Sequence, residues 1–157
     1  MSVITDLVAR LRGAPTVDHP VFGRIFPARR PKQGPWLWET LDEVEHVRGW
    51  VRIACEAGPR GPSPEQAEFW KWLQGHVGEV VADARPLLEA QVEGWTGRPM
   101  SANPWRDLVW VGTSLPLDGR RESAWALSFA SPVDRQATFT VSFENGRPAR
   151  VDAGNRR

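Results

Sequence analysis

The stretch from Ser63 to Trp95 constrains the fold more than any other, because its apolar residues recur at helical spacing throughout. At about 100° per residue, Phe69, Trp70, Leu73, Val77, Val80, Val81, Ala84, Leu87, Leu88, Val92 and Trp95 fall on one face. So long a stripe needs a partner surface of similar extent. The start is marked as well: Ser63 can cap, Pro64 suits the first helical position, and Gln66 completes a capping box. Pro86 removes an amide donor and disfavours helical geometry at Arg85, so a kink or a break is expected there.

The flanking segments read as strands. Between residues 21 and 56, Val21 to Phe26 forms a first strand, and Trp36 to Leu41 a second. The third is HVRGWVRIACE, in which Val47, Val51, Ile53 and Cys55 share a core face while His46, Arg48, Trp50 and Arg52 share the other. Beyond the helix, residues 105–152 supply WRDLVWVGTSL, then SAWALSF and ATFTVSF, whose Trp125, Leu127, Phe129, Phe139, Val141 and Phe143 alternate with small or hydroxyl residues. Asp118-Gly119 marks a turn. Asn145-Gly146 is the favoured two-residue hairpin turn, leading to a short last strand around Ala149 to Val151. Before the strands, Val3, Ile4, Leu7, Val8 and Leu11 predict a short amphipathic helix over residues 1–13.

Strands, then a helix, then strands without intervening helices predict an α+β fold. The expected architecture is a single domain over residues 1–157, a mainly antiparallel sheet with the long helix and the N-terminal helix packed on one face. A length of 157 residues suits one core. The net charge of +1 supplies no long-range field for nucleic acid or anionic membrane. The 18 Arg against 2 Lys, with 9 Trp and no Tyr, read as the codon bias of a GC-rich genome and not as a nucleic-acid signature. The lone Cys55 has no internal disulfide partner, and Asp6 and Arg10 interrupt the apolar run at the N-terminus, so a cytoplasmic location is expected. No apolar run reaches the ~20 residues of a membrane span.

Chemistry has few candidates. His19, His46 and His76 show no zinc-ligand spacing with Cys55 or with each other, and no metal or cofactor is expected. A Cys55–His46 nucleophile fails because the strand puts the two on opposite faces, which leaves Cys55 as core filler. The acidic run Glu39, Asp42, Glu43, Glu45 reads as a solvated turn. No phosphate-binding glycine loop is present. No catalytic residue is assigned.

Two surfaces place a tryptophan where the pattern predicts solvent. Trp72 projects from the polar face of the long helix with His76, Glu79 and Asp83, which suits a binding hot spot; burial of Trp72 under a loop or the N-terminal helix is the alternative. Trp50 lies between Arg48 and Arg52, whose guanidinium groups can stack on the indole; a self-contained surface ladder is the alternative. Two other classes of function remain open. One is a hydrolase or transferase using His46, His76, Glu79 and Asp83 for acid–base work; the other is a nucleic-acid binder using Arg29, Arg30, Lys32, Arg48, Arg52 and Trp50.

The segments HPVFGRI, the Trp-containing second strand, the SPEQ helix start and the closing AWALSF…FTVSFENGRPARV resemble a family of small bacterial domains of unknown function, some of them similar to immunity proteins of polymorphic toxin systems. The resemblance runs from about His19 to Asp152. It implies a cytoplasmic binder with a protein partner, a toxin in the immunity case, and carries over no catalytic residue.

Overall fold

A computed structural model describes residues 16–44, 47, 49–134 and 136–155. The N-terminal helix expected over residues 1–13 lies outside the described residues, as do His46 and Arg48.

Eight strands form one sheet in chain order, β1 (Val17–His19), β2 (Gly23–Arg29), β3 (Trp36–Glu43), β4 (Trp50–Ala57), β5 (Val109–Leu115), β6 (Trp125–Ala130), β7 (Ala137–Glu144) and β8 (Arg147–Asn155). Helix α1 (Pro64–Thr96) connects β4 to β5. The fold is α+β. Neighbouring strands are antiparallel except β4 and β5, which run parallel with Ile53 opposite Thr113. The sheet is therefore mainly antiparallel, as expected, with one parallel pair for which the long helix is the crossover that such a pair requires.

The start of α1 forms as its sequence dictates. Ser63 accepts a bond from the Gln66 amide at 3.2 Å, and the Gln66 side chain accepts from the Ser63 amide at 3.0 Å. Gln66 is fully buried, and its Nε2 donates to the carbonyls of Glu56 and Pro116 at 2.9 and 3.1 Å. One side chain thus ties the helix start to the end of β4 and to the turn after β5. In that turn Gly119 has φ +72°, and a Cβ there would stand 2.4 Å from the Glu65 carbonyl carbon. The first turn of α1 leaves room for no other residue.

The helix runs through Pro86 without the expected break. Losing one amide donor costs less than losing the face that Ala84, Leu88 and Val92 bury on either side of it. Arg85 reinforces the same point, pairing with Glu89 at 2.6 Å and donating to the carbonyls of Ser101 and Ala102 at 2.8 and 3.0 Å. Gly97, with φ +69°, donates to the Glu93 carbonyl and ends the helix.

Phe69, Trp70, Leu73, Val80, Val81, Ala84, Leu88 and Val92 are buried as the stripe predicts, and Val77 is half-buried. Leu87 and Trp95 are not: they are 37% and 38% exposed, Trp95 lying in the last turn of the helix with its indole N–H donating to Asp134 at 3.0 Å. Opposite α1, Val51, Ile53, Trp110, Leu127, Phe129, Phe139, Val141 and Phe143 complete a contiguous core. Trp70 and Trp110 meet at 5.6 Å, and Trp70 Nε1 donates to Asp42 at 3.1 Å.

Three boundaries differ from expectation. Val21 and Phe22 sit in a turn, since His19 Nδ1 accepts from both of their amides at 3.1 and 3.3 Å. Pro104–Arg106 form a 3₁₀ turn capped by Asn103, so β5 starts only at Val109. Strand β8 extends well beyond Ala149 to Val151. The Asn145-Gly146 hairpin forms with φ of +52° and +73°, as that turn type requires.

Candidate functional site

The polar face of α1 does not present the surface read from its sequence. Trp72 is half-buried against the core, 5.5 Å from Phe69 and edge-on to Trp125 at 6.3 Å. The Arg121 guanidinium lies over its ring at 4.7 Å, and His76 stacks on it at 5.2 Å. His76 Nδ1 also contacts the Trp72 carbonyl at 2.8 Å; since a carbonyl can only accept, Nδ1 carries the proton. The loop after β5 covers Trp72, which is a structural residue there. Glu79 and Asp83 are exposed, with no ion pair among the described residues. The four residues line one side of a helix without converging on a common point.

The other histidine and the cysteine have structural roles as well. Burial holds the His19 imidazole below its ordinary pKa, a hydrogen bond at Pro62 partly opposing this, and its Nδ1 is occupied by the turn. Burial pushes the Cys55 thiol up to about 12, so no thiolate is available near neutrality. Among the described residues, no three His, Cys, Asp or Glu side chains gather as metal ligands. In the basic loop, Arg29 belongs to β2 and pairs with Glu56 at 3.1 Å, while Arg30 and Lys32 are exposed.

The face of the sheet turned away from α1 is different. Alternation along β4 sends Val51, Ile53 and Cys55 into the core, and Trp50, Arg52 and Ala54 to the other side. Trp50 is 50% exposed, as its strand pattern predicts. Its neighbour Arg48 lies outside the described residues, so the double stack of arginines on Trp50 is not part of the described face. Arg52 instead donates through Nη2 to Glu39 on β3. Glu39 is 2% exposed, in contrast to the solvated turn expected for its acidic run, and Asp42 is spent on Trp70.

Around the Glu39–Arg52 pair the sheet is lined with small side chains. In register with Arg52 stands Gly112, and with Ala54 stands Ser114; Ser128 and Thr140 follow on β6 and β7, their hydroxyls 3.2 Å apart. The result is a hollow of about 400 Å³, walled by Leu37 and Val111 and also lined by Thr138. The Thr138 Oγ1 is buried and has no hydrogen-bond partner among the described residues. No described helix or strand lies over this face. A second depression, about 490 Å³, runs between the first turn of α1 and Arg120, Arg121 and Glu122, over the covered Trp72.

Sequence reasoning located Trp50 and Arg52 but missed Glu39, Ser128 and Thr138. Their signal exists only in the pairing of strands: Glu39 meets Ala54, and Ser128 meets both Gly112 and Thr140. Among the described residues no helix is long and apolar enough to cross a membrane. Comparison with protein-family models, with curated proteins and with solved structures returns no match.

Proposed function

We propose that the chain is a cytoplasmic protein-binding domain of the immunity type, which neutralises a toxin by covering its working surface. The observation that carries this reading is Trp50, half-exposed on the sheet face that α1 does not cover, two residues from the solvent-facing guanidinium of Arg52. Tryptophan and arginine are enriched in binding hot spots. Among the described residues, Cys55 is buried as a thiol, and the Nδ1 atoms of His19 and His76 are engaged in local hydrogen bonds. The resemblance of the strand and cap segments to immunity-like domains points the same way.

The test is capture of the partner from the source organism, followed by its expression with and without this chain. The captured protein should arrest growth when expressed alone, and co-expression of the chain should restore it. Trp50→Ala should weaken capture at least roughly tenfold, about 1.4 kcal/mol, and abolish the rescue. A captured protein without toxicity, or a Trp50→Ala chain that captures and rescues like the wild type, overturns the proposal.

A further inference from the structure

The Glu39–Arg52 pair is asymmetric in a way that selects a ligand. The carboxylate end is buried, with 2% of the Glu39 side chain exposed, whereas 45% of the Arg52 side chain faces solvent. A molecule entering the hollow therefore meets the half-exposed Arg52 first, with the buried Glu39 carboxylate paired to it in the same lining. Guanidinium carries five N–H donors in a rigid fork, and Glu39 is the acceptor that Arg52 has among the described residues. The donors left over match a carboxylate, which the fork can bind through two parallel hydrogen bonds.

Thr138 lines the far side of the same hollow on β7, three strands from Arg52, with its Oγ1 buried. The remaining surface is mixed, with aliphatic walls at Leu37 and Val111, Ala54 and Gly112 as floor, and the hydroxyl residues Thr113, Ser114 and Ser128 beside them. The volume of about 400 Å³ falls within the range of small-molecule sites, roughly 300–1,000 Å³. Because Glu39 already compensates most of the Arg52 charge, a singly charged group suits the site better than a doubly charged phosphate. The lining holds no aromatic ring on which a sugar or base could stack.

We infer that the hollow on this face binds a single carboxylate attached to a short aliphatic body. Two sources carry that chemistry, a free organic acid and the C-terminal residue of a polypeptide. The second deepens the protein-binding reading; the first is independent of it.

The test is an amide NMR titration with four probes: sodium hexanoate, hexanol, the N-acetylated peptide Ala-Ala-Val with a free C-terminus, and its C-terminal amide. Hexanoate or the free-acid peptide should produce saturable shifts at Arg52, Gly112, Ser128 and Thr138, with hexanol and the peptide amide at least tenfold weaker. Tenfold tighter binding of the free-acid peptide than of hexanoate assigns the site to polypeptide C-termini; equal or tighter hexanoate assigns it to free acids. Arg52→Gln should weaken binding at least tenfold. Ala54→Leu, which fills the floor beside the ion pair while keeping both charges, should abolish it and keeps the test valid where Arg52→Gln unfolds. No saturable shift from either carboxylate, equal binding of the uncharged probes, or a folded Ala54→Leu variant that binds like the wild type overturns the inference. Partner capture that depends on Trp50 would survive any of these failures, so the two proposals fail separately.

Discussion

Strand β7 carries both faces of the sheet in one short sequence. Ala137, Phe139, Val141 and Phe143 are buried on the helix side, whereas Thr138, Thr140 and Ser142 face the other way and are half-buried. The first set does what apolar side chains do wherever a helix must be covered: it removes area from water at about 25 cal/mol per Å². The second set is harder to account for by solvation alone. A sheet face that only needs to stay soluble can carry long charged side chains at every outward position. Ala54, Gly112, Ser114, Ser128 and Thr138 instead keep the centre of this face low, around one buried acid and one half-exposed arginine. The contrast separates a face chosen for volume from a face chosen for shape and hydrogen bonding.

Substitutions on the helix side should have the largest effects. Trp70 is fully buried, packs on Trp110 and holds Asp42 through its indole N–H. Trp70→Ala should lower unfolding stability by about 3–5 kcal/mol, read from the midpoint of chemical denaturation. A midpoint equal to the wild type would show that α1 does not form the core wall and would erase the difference between the faces.

A pH titration sharpens the same comparison at smaller scale. The Cys55 thiol is pushed from 9.0 up to about 12 in the folded chain, so the unfolded state loses its proton first as pH rises. The thiol's contribution is fully present below about pH 9 and declines toward pH 12, by at most about 1.4 kcal/mol per pH unit. Cys55→Ala should flatten that decline relative to wild type in denaturation measured across this window. Identical slopes would place Cys55 in contact with solvent, on the wrong face of β4.

What was legible in the sequence follows from the range of the forces involved. The Ser63 cap, the α1 stripe and the Asn145-Gly146 turn are local, set by residues a few positions apart; the cap and the turn form as read, and the stripe does except at Leu87 and Trp95. The first strand was misplaced because the His19 imidazole draws the Val21 and Phe22 amides into a turn, a bond that no hydrophobic period reports. Trp72 had two readings, an exposed hot spot or burial under a loop, and the sequence could not choose between them because its cover, Arg121 and Trp125, lies far along the chain. Glu39 was misread for the same reason: its partner Arg52 becomes its neighbour only through the β3–β4 register. Trp50 was legible since strand alternation alone sends it away from the core. The candidate site is thus partly visible in β4 and otherwise written in strand pairing.

The central claim, that the helix-covered face holds the fold and the opposite face is free to serve binding, is tested most directly by combining Trp50→Ala, Ser114→Ala and Ser128→Ala in one chain and measuring its unfolding free energy. None of the three side chains belongs to the buried core cluster. Surface substitutions of this kind each fall within about 0.5 kcal/mol, so the triple variant should retain its stability to within about 1.5 kcal/mol of wild type, well short of the Trp70→Ala loss. A drop as large as that caused by Trp70→Ala would show that both faces carry the fold, and would contradict the account.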